Sequence, residues 1–162
     1  MTAARPPRRP SFGWRMAWRV NYRFLRLIDP LIRLMWGSGA LGITIDLRVR
    51  GRRTGREQAV LLGLLEVAGR RYVGHPNGDA GWVRNLDAAG EARLAFPFGG
   101  TRAVRAARLP DSDERDAVIL ATAHQQPFPG NLLYRAARRH ILAAGVYFRL
   151  EPIEIEGVDH QA

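Results

Sequence analysis

Residues 43–67 read ITIDLRVRGRRTGREQAVLLGLLEV. Ile43, Ile45, Leu47 and Val49 alternate with Thr44, Asp46, Arg48 and Arg50, the period-two pattern of a half-buried strand. GRRTG, 51–55, then turns the chain, and a second apolar run, 58–67, follows. Strand, short turn and strand make a hairpin, so the pairing is antiparallel. Ala68-Gly69-Arg70 turns the second run into a third strand, RRYVGH.

The same logic extends downstream. Two strands, 91–97 and 101–109, are joined by Phe98-Gly99-Gly100, and a last strand spans 145–155. Helical signals fill the gaps. WVRNLDAAG, 82–90, reads as a short helix ended by Gly90. Pro110-Asp111-Ser112-Asp113-Glu114 marks a helix start, and that helix runs to about residue 124. After QPFPGN comes a helix at about 131–143. Hairpin-connected strands exclude a doubly wound parallel sheet. They predict an antiparallel sheet or small barrel of six strands with packed helices, that is, an α+β or β-barrel fold.

Upstream the pattern is different. Residues 1–11 are rich in Pro and Arg and read as a disordered basic tail. Residues 12–36 form a basic amphipathic helix, kinked or restarted at Pro30. Arg15, Arg19, Arg23, Arg26 and Arg33 fall within an arc of about 80°. Trp14, Met16, Trp18, Val20, Phe24, Leu25 and Leu27 occupy most of the rest. Two readings stay open: a helix docked on its own domain with arginines in water, or a helix lying on an anionic membrane surface. The remaining chain, 37–157, is the barrel domain.

Composition narrows the function. The chain has 162 residues and a formal net charge of +10. All 25 basic residues are arginine, and cysteine is absent. Such a field favours an anionic partner, while the missing thiols exclude disulfides and Cys-ligated metals. No span is apolar enough to be a membrane helix, and arginines interrupt any secretory leader, so a cytoplasmic location is expected. There is no GxGxxG after a strand and no GxxxxGK[ST] loop. His75, His124, His140 and His160 lack metal-pair spacing, and the three serines make no hydrolase pattern. Nucleic acid is disfavoured, because no exposed aromatics interleave with the basic turn.

What remains is a binding surface. The turn GRRTGR brings backbone N–H groups and three guanidinium forks together, an arrangement suited to phosphate or carboxylate. A solvated hairpin explains it equally. HPNGDAGW, 75–82, is a second candidate. Gly78 and Gly81 allow close backbone approach to a ligand, and Trp82 and Asn85 share a face of the next helix. Both residues fit a core role as well.

Taken together, the basic helix, LRVRGRRTG at 47–55, the glycine-rich loop and WVRNLDAAG at 82–90 resemble the deazaflavin-dependent nitroreductase and quinone-reductase family. The resemblance implies a six-stranded split β-barrel that binds coenzyme F420, a deazaflavin with a phosphodiester and a polyglutamate tail, or alternatively FMN. It implies that Arg52, Arg53, Thr54 and Arg56 face the anionic tail. Val60, Leu61 and Leu62 would lie along the ring. His75, Pro76, Asn77, Gly78 and Gly81 would wrap the phosphate, with Trp82 and Asn85 beside it. No catalytic acid or base is implied. The acceptor, quinone-like or nitro-type, would sit near Phe128, Tyr134 or Tyr147. The arginine stripe of residues 12–36 suggests, beside the cytoplasmic expectation, a peripheral setting on the inner face of the membrane, and a homodimer is compatible. The competing class is a non-enzymatic split-barrel binder of flavin, haem or a lipid-like ligand.

Overall fold

The computed structural model describes residues 9–27, 30–31, 44–126 and 130–153. The opening hairpin forms as its alternation dictates. Strand β1 (Thr44–Arg50) pairs antiparallel with β2 (Glu57–Gly63), from Thr44 opposite Gly63 to Arg50 opposite Glu57. Ile45, Leu47 and Val49 are buried along one face. Ile43 lies outside the described residues.

The second apolar run is two strands rather than one. After β2 the chain bends at Gly63-Leu64 and resumes as β3 (Leu65–Val67), which pairs with β4 (Arg70–His75). The sheet therefore has seven strands in the order β2-β1-β5-β6-β7-β4-β3. Here β5 is Glu91–Phe96, β6 Gly100–Arg108 and β7 Val146–Pro152. The two end strands of that order are consecutive in the chain. The curled sheet is thus closed by a covalent bend, and the antiparallel split-barrel α+β fold expected from the sequence is present. A continuous strand would have had to pair with both ends of the sheet at once, which is why it bends.

Five helices pack around this sheet among the described residues. They are α1 (Phe12–Leu27), α2 (Gly81–Ala89), α3 (Asp113–Gln125), α4 (Gly130–Ala136) and α5 (Arg138–Ala144). The side chain of Ser112 accepts from Arg115 N at 3.2 Å and caps α3, as a helix N-terminus requires. The helix expected at 131–143 is jointed at Ala137, whose ψ of 4° departs from the helical value. Bonds from Ala137 N to Leu133 O (2.9 Å) and from Ile141 N to Ala137 O (3.0 Å) cross the joint, so the spiral bends without being cut. The kink expected at Pro30, and the stretch around Arg33, fall outside the described residues.

Strand alternation divides the core in two. Val73 and Phe148 join Ile45, Leu47 and Leu94 inside the barrel. Their neighbours Tyr72 and Tyr147 point the other way, to Val118, Ile119, Ile141 and Trp18 under the helices. Gly74 pairs with Tyr147 across β4 and β7. A Cβ at Gly74 would stand 2.2 Å from that tyrosine ring, so only glycine lets the ring lie flat across the strand.

The N-terminal helix is docked. Trp18 is buried against Tyr134, ring centres 5.1 Å apart. Asn77 Nδ2 donates to Arg15 O at 3.1 Å, and Arg19 Nε meets Asp79 Oδ2 at 3.0 Å. The opposite face of α1 is not covered. Phe12, Met16, Val20, Phe24 and Leu27 are all exposed there.

Candidate functional site

Docking α1 beside β2 leaves a groove of about 990 Å3 between them. Val60, Leu61 and Leu62 of β2 line one side, with Gln58 and Ala59 before them. β2 is an end strand of the sheet, with β1 its one strand neighbour. Tyr22, His75 and Trp82 supply aromatic walls, and Gly78 to Gly81 form the loop side. Arg19, Arg23, Arg26 and Arg84 stand at the rim.

His75 organises the loop. Its Nδ1 accepts from Asn77 N at 3.2 Å and Gly78 N at 3.0 Å. The ring stacks on Tyr22, centres 4.4 Å apart, and meets Trp82 edge-on. Burial pushes the imidazole down to about 4, with the Asp79 carboxylate acting weakly the other way. His75 is therefore neutral near pH 7, with its proton on Nε2, since Nδ1 is occupied as an acceptor. The 3.9 Å approach to Asp79 Oδ1 is then a contact with a neutral ring and not an ion pair. Gly78 has φ +66°, and a Cβ there would meet Val146 Cγ2 at 2.4 Å. Glycine is required for the loop to pass this close to β7.

A second cavity, of about 730 Å3, lies behind Tyr22 and shares Tyr22, Leu61 and Leu62 with the groove. Tyr134 and Tyr147 line it, as does Trp18, whose buried indole N–H has no acceptor among the described residues. Burial raises the pKa of Tyr22, Tyr134 and Tyr147, and Tyr22 hydrogen-bonds Tyr134. All three phenols are neutral hydroxyls. Phe128 lies outside the described residues.

The residues named from the sequence separate into two sets. Val60, Leu61, Leu62, His75, Gly78, Gly81 and Trp82 line the groove; Arg52, Arg53, Thr54, Arg56, Pro76, Asn77 and Asn85 do not. Asn85 is buried and stitches the fold: its Oδ1 accepts from Arg52 N at 3.3 Å and its Nδ2 donates to Gln58 Oε1 at 2.8 Å. Asn77 ties α1 to α5 through Arg15 O and the ring Nε2 of His140, the latter at 2.6 Å. Pro76 is fully buried. Sequence reasoning did not place Tyr22 or the α1 arginines in the groove; Asp79 lies within the 75–82 loop it singled out, without a role of its own. The arginine arc was legible, but the strand it borders is some 35 residues away.

The lining fits a planar, anionic cofactor. Among the described residues it combines a flat apolar strand, aromatic walls and four guanidinium groups against one carboxylate, Asp79. His75, held neutral by burial, is an acceptor to the loop amides, and the described lining suits binding and orientation.

Comparison with known proteins bears on the fold. No protein-family model matches the chain, and no curated protein does. Solved structures do. A protein of unknown function from Agrobacterium tumefaciens superposes with a TM-score of 0.51 at 18% identity over 68% of this chain, which spans only 48% of that protein's length. HutZ, the haem storage protein of Vibrio cholerae, gives 0.51 at 16% identity, covering 78% of this chain and 91% of its own. A general-stress-protein-26 relative from Clostridium acetobutylicum, of the pyridoxinephosphate oxidase family, gives 0.50 at 12% identity, covering 80% and 84%. At such identities the likeness shows the fold they share with this chain, a split-barrel-like α+β domain.

Proposed function

We propose that the protein is a deazaflavin-dependent oxidoreductase, transferring hydride from reduced F420 to a quinone-like or nitro-type acceptor, with FMN as the alternative cofactor. The observation that carries the reading is the groove, where an apolar strand edge, a neutral His75–Tyr22 stack and a cationic rim meet. The bound deazaflavin would supply the hydride, and the protein position and electrostatics. Val60, Leu61 and Leu62 provide a flat bed for a ring system, and Trp82 closes one side. His75 presents an uncharged N–H. The cavity behind Tyr22 receives the acceptor, where the Trp18 N–H can donate to a carbonyl or nitro oxygen.

The reading is tested by mixing full-length protein with reduced F420 and a short-chain naphthoquinone and following the deazaflavin absorbance. Saturable, protein-dependent oxidation supports it. Binding without turnover supports the second reading, a non-enzymatic binder of flavin, haem or a lipid-like ligand. That reading is favoured by the mostly apolar lining of the second cavity and by the haem storage role of HutZ.

We place the protein on the inner membrane surface. No helix among the described residues is long and apolar enough to cross a membrane. The uncovered stripe Phe12, Met16, Val20, Phe24 and Leu27 instead suits an interfacial helix, with Arg15, Arg19, Arg23 and Arg26 beside it. The α1 sequence holds no acidic residue, so pairing two copies of this face would set arginines against arginines. An anionic bilayer suits that basic, apolar stripe and presents a lipid-soluble quinone near the groove mouth.

A further inference from the structure

We propose that the anion clamp of the groove is Arg23 and Arg26 of α1, and not the basic turn at 51–56. The inference rests on reading the groove as a cofactor site and assigns the residues that select a phosphorylated ligand within it.

The turn has spent the groups that would make it a cradle. Gly51 N donates to Arg56 O and Gly55 N to Gly51 O, both at 2.8 Å. Arg52 N donates to Asn85 Oδ1 and Arg56 N to Thr54 Oγ1, both at 3.3 Å. Arg50 Nε also closes on Gly55 O at 3.1 Å. Four of the six amides from 51 to 56 are therefore satisfied within the protein. That leaves the successive amides of Arg53 and Thr54, on a turn none of whose residues lines the groove. Arg52, Arg53 and Arg56 are exposed, and none lines the groove.

The helix is arranged the other way. Among the rim arginines, Arg19 is held by Asp79 Oδ2 at 3.0 Å, and Arg84 Nη2 donates to Asp79 O at 3.0 Å. Arg23 and Arg26 have no hydrogen-bond or ion-pair partner among the described residues. They lie three positions apart, so they share a face about one helical turn long, with a rise of about 4.5 Å. That spacing suits two anionic oxygens of one phosphodiester, or a phosphate followed by a carboxylate. Asp79 is the one carboxylate among the described residues of the lining, and Arg19 neutralises it, so these residues give the rim a net positive field.

A lipid headgroup carries the same phosphate chemistry, and the test separates the two sources. Binding of F420, and of the same deazaflavin cut back to its ribityl chain, is measured by fluorescence titration on the full-length protein, on R23Q/R26Q and on R52Q/R53Q/R56Q. Sedimentation with phosphatidylglycerol vesicles is measured in parallel. The clamp predicts that R23Q/R26Q loses on the order of tenfold in F420 affinity. The cut-back ligand should change by less than about twofold, which also reports that the variant is folded, and the triple turn variant should keep its F420 affinity. Loss of F420 affinity in the turn variant, with R23Q/R26Q unaffected, overturns the proposal. A fall in vesicle binding alone overturns it too, assigning the pair to lipid. If the wild type binds the cut-back ligand but does not prefer F420, the clamp fails while the cofactor site stands. If it binds neither, the cofactor reading fails and the clamp with it.

Discussion

Acidification should loosen the loop at 75–79 through one buried ring. His75 is 3% exposed, and burial lowers its pKa from 6.5 to about 4. The folded value lies below the unfolded one, so the unfolded chain takes up the proton more readily. The stabilisation is complete above about pH 6.5 and is lost as the pH falls toward 4. At about pH 5 an unfolded histidine is almost fully protonated and the folded one about a tenth so, a difference of about 2 kcal/mol. The structural event is specific. A proton on Nδ1 removes the acceptor that holds the amides of Asn77 and Gly78, and with them the loop that carries Asp79 to Arg19. Urea unfolding of the wild type and of His75→Gln, at about pH 7.5 and about pH 5, measures it. His140 is also pushed down, by burial and then by Arg15, but it is present in both proteins and cancels. The wild type should lose about 2 kcal/mol more than the variant on acidification. Equal losses in the two would refute the assignment of the proton to His75.

Two glycines of the same loop should behave oppositely. Gly78→Ala drives a Cβ into Val146 at φ +66° and should lower stability by at least about 1–3 kcal/mol in urea melts, while Gly81→Ala, whose Cβ meets nothing within 4 Å, should be neutral or slightly stabilising. Arg115 is buried and bonds the carbonyls of Leu142 (3.1 Å) and Gly145 (2.8 Å) as well as Asp111; Arg115→Met should cost roughly 3 kcal/mol, read as a drop in melting temperature, because it removes a buried charge-assisted bond to the Gly145 carbonyl between α5 and β7. Replacing Phe12, Val20 and Phe24 by Ser should abolish sedimentation with anionic vesicles without changing the thermal midpoint. Vesicle binding that persists would remove the membrane role, and a shift from dimer to monomer on gel filtration would assign the stripe to a second copy.

How far the sequence carried the account varies by element. The alternation at 43–50 and the turn chemistry at 51–55 and 68–69 made the antiparallel hairpins legible, because they are local. The bend at Gly63-Leu64 was not, because QAVLLGLLEV is apolar throughout and the bend answers a demand of barrel closure. The joint at Ala137 was hidden for a similar reason: alanine is the best helix former, and only the buried position of Ala137 distinguishes it. In the site, Val60 to Leu62 and the 75–82 loop announced themselves by apolarity and glycine. Asn85 admitted two readings and proved to be a stitch between turn and helix. The α1 arginines were visible as an arc, but an arc does not say which strand it faces. The basic turn drew attention by charge density, while its hydrogen bonds, invisible in sequence, engage four of its six amides and none of its residues lines the groove.

The most direct test of the central claim is equilibrium titration of the full-length protein with F420 and, separately, with FMN. The account predicts saturable binding of F420 with a Kd on the order of micromolar, one per chain, weakened by salt because the rim is cationic, and lost on Leu61→Arg in the strand that floors the groove. Failure of both F420 and FMN to bind at micromolar concentrations would contradict it.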